Sequence, residues 1–189
     1  MSSVSTPVSS AVTTWDLDPS HTGVHFSVKH LVVATVRGEF SKVSGTVVID
    51  PRDLARSTVR ATIDASSIST RDPQRDGHLK SPDFLDVAAF PTIEFRSTRL
   101  VRTADGLDIT GDLTIHGVTR PVTLKVETTD ADLKDPYGNV RRAASAVVRV
   151  NRKDFGLVWN VALETGGFVV GDEVKIELDV ELVRRAEAA

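Results

Sequence analysis

The stretch that decides the fold is DEVKIELDVELV, residues 172–183. Its apolar residues occupy every second position from Val174 to Leu182, and charged residues fill the positions from Lys175 to Glu181 between them. A period of two places all the apolar side chains on one face of an extended strand, whereas a helix would scatter them around its surface. The pattern therefore predicts a long β-strand with one buried face and one face in water.

The same alternation recurs along the chain from Trp15 onward. It is clear in GVHFSVKHL, which begins at Gly23, and in TVRATIDA, which begins at Thr58. Further alternating segments lie at about 34–50, 92–102, 107–115, 118–129 and 143–151. Strands joined mostly by short turns are typical of an antiparallel meander. Because several of these segments are long and have one apolar face, we expect the sheet to close into a barrel.

Residues 71–91 interrupt this rhythm. The segment RDPQRDGHLKSPDFLDVAAFP does not alternate, and its prolines at positions 73 and 82 suit the first turn of a helix. Ser81 is a suitable N-cap before the second proline. We therefore expect one or two short helices that cross from strand to strand near one mouth of the barrel. Without a repeat or a linker, residues 13–185 are expected to form a single domain after a flexible tail over residues 1–12.

Composition excludes several classes of function. The 189 residues include 23 Lys and Arg against 26 Asp and Glu, a formal charge of −3, which argues against a nucleic-acid partner. There is no cysteine, which excludes a disulfide scaffold, a Cys-ligated metal and a cysteine nucleophile. No apolar run reaches the roughly 18 residues of a membrane span. The N-terminal residues lack the pattern of a secretory signal, so we expect a cytoplasmic location.

Histidines are the strongest remaining candidates for chemistry. His21 and His25 would share one face of a strand, but at about 13 Å apart they could not bind one ion together. His30 would point to the opposite face from His25. The sequence contains no G-x-S-x-G, P-loop, G-x-G-x-x-G or H-E-x-x-H motif. We therefore predict no catalytic residue, no metal and no cofactor.

Several ordered motifs cover residues 15–183. The first, W-x-L-D-x-x-H-x-x-V-x-F-x-V-x-H, spans residues 15–30, and the most specific, R-D-x-H-L-x-S-x-x-F-x-D…P-x-I-x-F-x-S, spans residues 75–97. G-D-L-T-I-H-G-V-T follows at residues 111–119 and N-R-x-D-F-G-L at residues 151–157. Together they resemble the YceI-like family of bacterial lipocalin-like proteins, whose members are described as polyisoprenoid-binding.

The resemblance implies an all-β fold, an antiparallel eight-stranded lipocalin-like barrel that encloses a long apolar pocket. It also implies a protein that binds and carries a long-chain amphiphile, such as an isoprenoid quinone or a polyprenyl phosphate, rather than an enzyme. The expected small-molecule partner is thus a lipid held without a covalent bond. Transient contact with a membrane, and a homodimer formed through exposed strand edges, are also compatible with the sequence.

Strand parity indicates which residues face the interior of such a barrel. We expect a polar head group at the mouth, near His30 and near Arg75, His78 and Lys80 of the 71–91 insert. Inside, we expect eight residues to line the lumen: Phe26, Val28, Phe40, Ile93, Phe95, Ile115, Val148 and Trp159.

Two other functions remain open on the sequence alone. An enzyme could act on a lipid inside the barrel with His30 or His78 as its general base. Alternatively, aromatic side chains could fill an eight-stranded barrel, which would then serve as a structural or dimerisation module. The first predicts turnover that disappears in His→Ala variants, and the second predicts no cavity and no co-purifying lipid.

Overall fold

The computed structural model describes residues 11–31, 33–129, 131–162 and 169–186. The N-terminal tail was expected over residues 1–12, and residues 1–10 of it lie outside the described ranges. Within these ranges the α-helix is α1 (Pro73–Lys80), and short 3-10 helices cover Leu54–Arg56, Ala65–Ser67 and Arg152–Phe155. The strands of the described residues are β1 (Thr13–Leu17), β2 (Gly23–His30), β3 (Ala34–Phe40), β4 (Val43–Ile49), β5 (Thr58–Asp64), β6 (Ile68–Ser69), β7 (Thr92–Thr103), β8 (Gly106–Ile115), β9 (Val118–Thr128), β10 (Leu133–Lys134), β11 (Val140–Asn151) and β12 (Val170–Arg184).

These segments form a closed barrel of eight antiparallel strands. The consecutive segments β1 and β2 pair with β12 one after the other, so together they act as one bent strand. Segments β3 and β4 continue each other in the same way, as do β5 and β6. The sheet then runs through β7, β8, β9 and β11 to β12. The structure confirms the predicted barrel. Closure gives each of the eight barrel strands a partner on both sides over at least part of its length, and a homodimer stays a prediction.

The two ends of the barrel differ. One end, here called the helix end, carries α1, residues 81–91 and residues 152–162. The opposite end, here called the hairpin end, carries residues 50–57 and the turn that joins β10 to β11. In the described part of the chain, no helix is long and apolar enough to cross a membrane.

Helix α1 begins and ends at well-defined caps. The Asp72 carboxylate accepts hydrogen bonds from the backbone N–H groups of Gln74 and Arg75 at 3.1 Å, and Pro73 occupies the first turn. Ser81 closes the other end, where its hydroxyl donates to the His78 carbonyl at 2.8 Å. After Pro82 the chain forms hydrogen-bonded turns, and the described insert contains one helix rather than two.

Buried Arg152 ties the end of β11 to the beginning of β12. Its Nε donates to the Gly171 carbonyl at 2.9 Å, and its Nη1 donates to the carbonyls of Leu157 and Trp159. Its Nη2 lies 3.4 Å from both the Val170 carbonyl and the Asp172 carboxylate. Burial lowers the pKa of this guanidinium. Arg152 therefore acts as an internal anchor for residues 156–160, which contact the region around α1.

Arg141 connects three segments on the outside of the hairpin end. Its guanidinium donates to the carboxylates of Asp18 and Asp135 at 2.7 Å each, and to that of Glu181. These hydrogen bonds hold the pKa of Asp18 and of Asp135 well below the usual range of an aspartate. The network thus joins the β1–β2 connection, the β10–β11 turn and β12.

We expect Arg141→Met to destabilise the protein at neutral pH and progressively less in acid. Because the folded-state pKa of Asp18 and Asp135 is lowered, their stabilisation is complete above the unfolded pKa of about 4 and is lost as the pH falls toward the folded value. Urea unfolding of wild type and variant from about pH 7 to pH 2 measures this difference.

Arg149→Met is the matched control, since Arg149 lies on the same strand and its one ion pair among the described residues is with exposed Glu173. This control should change stability little at any pH. A difference between wild type and Arg141→Met that stays constant across the pH range would contradict the role given to the two aspartates.

Candidate ligand-binding cavity

The barrel encloses an apolar cavity of about 370 Å³. Alternate residues of β12 from Val174 to Leu182 line one side of it, and β8 and β9 contribute Leu113 and Leu124 among others. The volume lies within the roughly 300–1,000 Å³ that is typical of small-molecule sites. The interior is therefore hollow, which is not what the filled-barrel hypothesis expects.

Strand parity places most of the predicted lumen residues on this wall. Trp159 is the exception: it belongs to the irregular chain after β11, so its position could not follow from strand parity. Its ring lies at the helix end, with ring centres 4.7 Å from His78 and 5.2 Å from Phe84. The direct contact of any of these residues with a ligand stays a prediction. The seven that line the cavity are Phe26, Val28, Phe40, Ile93, Phe95, Ile115 and Val148.

Two glycines allow aromatic rings to lie flat against the barrel wall. The ring of Phe26 covers Gly38 on the neighbouring strand, and the ring of Phe95 covers Gly111. A Cβ atom on Gly111 would lie 2.5 Å from the Phe95 ring, and one on Gly38 would collide with the Phe26 ring. Because these inward positions carry no side chain, each ring can fold back onto the wall. The cavity then stays open although large side chains line it.

The four predicted head-group residues all lie at the helix end, where β2 ends and α1 lies. Arg75 donates through Nε to the Thr70 hydroxyl at 2.7 Å and through Nη2 to the Thr70 carbonyl at 3.0 Å. The Nε2 atom of His78 lies 2.9 Å from the Asp83 carboxylate. Both side chains thus already have polar partners within the insert.

The other two, His30 and Lys80, are half-buried. Within the described residues neither side chain forms a hydrogen bond or an ion pair. The cavity lining at this end comes from apolar neighbours instead, namely Leu79 of α1 together with Phe84 and Leu85. A head-group role for His30, Arg75, His78 and Lys80 stays a prediction.

At the hairpin end, two cationic residues of the lining were not predicted from the sequence. Arg102 and Arg142 both line the cavity, and both lie at the hairpin end. The signal that could have found them is their parity, since each occupies an inward position at the end of an apolar stripe. The lumen prediction considered only apolar residues at inward positions, so it did not include these two arginines.

The described residues that come nearest to a metal site are Asp18, His21 and Glu181, whose potential ligand atoms lie within 4.8 Å of one another. The His21 Nδ1 atom is 3.0 Å from the Asp18 carboxylate. Arg141 donates to both carboxylates and therefore already supplies positive charge at this position. The arrangement favours an ion-pair network. His25 lies elsewhere, 3.7 Å from the Glu39 carboxylate.

Comparison with known proteins identifies the family. The model of the YceI-like domain matches residues 15–182. The chain belongs to the YceI-like family. Protein YceI of Escherichia coli is 36% identical over 170 residues, which cover 90% of this chain and 85% of the relative. The resemblance carried by the sequence motifs is thereby confirmed.

Solved structures share the YceI-like fold. BcnA of Burkholderia cenocepacia superposes with a TM-score of 0.72 at 24% identity and covers 87% of this chain and 98% of its own. A polyisoprenoid binding domain from Saccharophagus degradans, implicated in plant cell wall breakdown, gives a TM-score of 0.65 at 14% identity. That match covers 92% of this chain and 99% of the domain.

We expect Gly111→Ala to destabilise the protein by about 1–3 kcal/mol, the usual cost of overpacking a core. The new Cβ would lie 2.5 Å from both the Phe95 ring and the Arg96 carbonyl oxygen. Gly77→Ala in α1 is the control, because no atom lies within 4 Å of its new Cβ. It should stabilise by about 0.5–1 kcal/mol. Urea unfolding measures both, and a neutral Gly111→Ala would contradict the packing of Phe95 against this glycine.

Proposed function

We propose that this YceI-like barrel binds the chain of a long amphiphile in its cavity, and that it carries or sequesters this molecule unchanged. The observation that carries the proposal is the hollow lumen lined by the apolar faces of the barrel strands. The polyisoprenoid binding domain of Saccharophagus degradans, which has the same fold, supports an isoprenoid as the ligand. An isoprenoid quinone, a polyprenyl phosphate or a similar amphiphile fits this description.

The chemistry of the wall supports an apolar chain as the part of the ligand that enters. Burying one methylene contributes about 0.8 kcal/mol, so ten buried carbons contribute roughly 8 kcal/mol before ordering costs. Because ordering costs subtract from this sum, the corresponding dissociation constant of about 1 μM is the tightest that ten buried carbons alone could give. Affinity of this kind needs few polar contacts, in keeping with a lining in which apolar side chains predominate.

The positions of the histidines support binding rather than catalysis. Among the described residues, neither His30 nor His78 lines the cavity. His78 contacts the Asp83 carboxylate and has its ring packed against Phe84 and Trp159. A general base must reach the proton that it removes, directly or through one water. In the proposed function, the protein therefore releases its ligand chemically unchanged.

We expect Ala146→Phe to reduce the amount of bound lipid at least about tenfold, because the new ring would occupy space that the chain needs. Ala146 is 6% exposed and lines the cavity. Val147→Phe is the matched control, since its neighbour on the same strand points outward and is 38% exposed. Native mass spectrometry of the freshly purified proteins, followed by organic extraction, measures the bound lipid.

The wild-type protein should carry an adduct of several hundred daltons that is lost on denaturation. Circular dichroism checks the fold of each variant, and Ala144→Phe, also on the cavity wall, is the second variant if Ala146→Phe does not fold. Wild type that shows a bare mass even after incubation with geranylgeraniol would overturn the proposed function. Equal lipid content in Ala146→Phe and Val147→Phe would place the ligand outside the lumen.

A further inference from the structure

On three strands, the row of inward-facing apolar residues is followed by an arginine at the hairpin end of the barrel. Each arginine lies two residues beyond the last apolar lining residue of its strand, which is Leu100, Ala144 or Leu182. Because side chains alternate along a strand, all three belong to the inward-facing set. The three arginines are Arg102 on β7, Arg142 on β11 and Arg184 on β12.

Two of these guanidinium groups flank fully buried Trp15. The Cζ atom of Arg142 lies 4.7 Å from the centre of the indole ring, and that of Arg184 lies 5.9 Å from it. Both approach the Asp132 carboxylate, which accepts a hydrogen bond from Arg142 Nε at 2.6 Å and lies 3.8 Å from Arg184 Nη1. One carboxylate thus faces two guanidinium groups, and the group formed by these four residues keeps a net positive charge.

The guanidinium groups of this cluster also keep hydrogen-bonding capacity. Within the described ranges, Arg142 donates only through Nε and Arg184 donates no side-chain hydrogen bond. Arg142 lines the cavity, as does the neighbouring hydroxyl residue Thr128. A guanidinium with unused N–H groups binds phosphate or carboxylate through two parallel hydrogen bonds. The hairpin end is therefore equipped to receive an anion.

At the helix end, the Lys80 side chain has no partner among the described residues but does not line the cavity, and the arginine that does line it lacks this capacity. Arg152 lines the cavity there, but all five of its N–H groups are directed at the carbonyls and the carboxylate that anchor residues 156–160. Arg75 and His78 have partners in the insert. Available positive charge in the cavity wall is consequently concentrated at one end of the barrel.

We propose that the hairpin end binds the anionic head group of the amphiphile whose chain fills the cavity. Arg142 contacts the phosphate or carboxylate, and Arg184 and Arg102 contribute positive charge around it. The inference rests on the proposed function, and it selects among its ligands: a polyprenyl phosphate or a fatty acid satisfies the arginines, whereas a quinone does not. The far end of the chain then lies beneath α1.

Two probes with the same chain test this directly, geranylgeranyl phosphate and geranylgeraniol. Isothermal titration calorimetry should show that wild type binds the phosphate at least about tenfold more tightly than the alcohol, the gain expected from a charge-assisted hydrogen bond. This advantage should shrink as salt is added. Arg142→Met should abolish it, so that the ratio of the two affinities falls to about one. Arg149→Met, on the outer face of the same strand, should preserve it.

The outcomes separate the two proposals. Binding of neither probe overturns the proposed function itself. Equal affinity of wild type for both probes overturns the head-group site alone, and so does an advantage for the phosphate that survives in Arg142→Met. Inorganic phosphate that binds as tightly as geranylgeranyl phosphate would also overturn it, in favour of a site for a free anion.

A second measurement keeps the test valid if Arg142→Met does not fold. The chain has two tryptophans, so Trp159→Phe leaves Trp15 at the hairpin end as the only one. Stearate that carries a nitroxide next to its carboxylate should quench Trp15 fluorescence at least about twofold more than stearate labelled near its methyl end, since nitroxide quenching needs close approach. The opposite order would place the head group at the helix end and overturn the inference.

Discussion

A closed barrel must direct one face of every strand toward a common axis, and the rest of this structure depends on that constraint. Closure gives each barrel strand a partner on both sides and leaves no element inside against which the inward faces can pack. Whether a lumen remains depends on how far the inward side chains extend. Here the rings of Phe26 and Phe95 fold onto Gly38 and Gly111, so the wall is thick and apolar while its centre stays open.

The same alternation separates two neighbouring arginines into different roles. Arg141 faces outward, where it joins three carboxylates and stabilises the hairpin end of the fold. Arg142 faces inward, where it lines the cavity and packs over Trp15. Two adjacent residues of β11 thus have different roles, because one belongs to an ion-pair network outside the barrel and the other places a charge at the end of the lumen. The result is a cavity whose two ends differ in available charge, and under the proposed function this difference would orient the amphiphile.

Much of the candidate site could be predicted because parity is a local property of a strand. It placed Phe26, Phe95 and five other residues on the cavity wall without any knowledge of their neighbours. Parity fails where the chain is irregular, and Trp159 accordingly lies at the helix end instead of in the lumen. Of the one or two helices expected in the insert, the structure has one, and after Pro82 the N–H groups of Phe84 and Asp86 both donate to the Ser81 carbonyl in turns.

By itself the sequence determined the alternating strands, their inward and outward faces and the family, since alternation and motifs are local properties of the chain. The tertiary structure alone decided that the lumen is hollow, because this depends on which glycine lies opposite which ring on the next strand. The tertiary structure alone also decided which charged side chains lie at each end of the cavity. Arg142, Arg184 and Trp15 are far apart in sequence, and only barrel closure brings them together around one carboxylate.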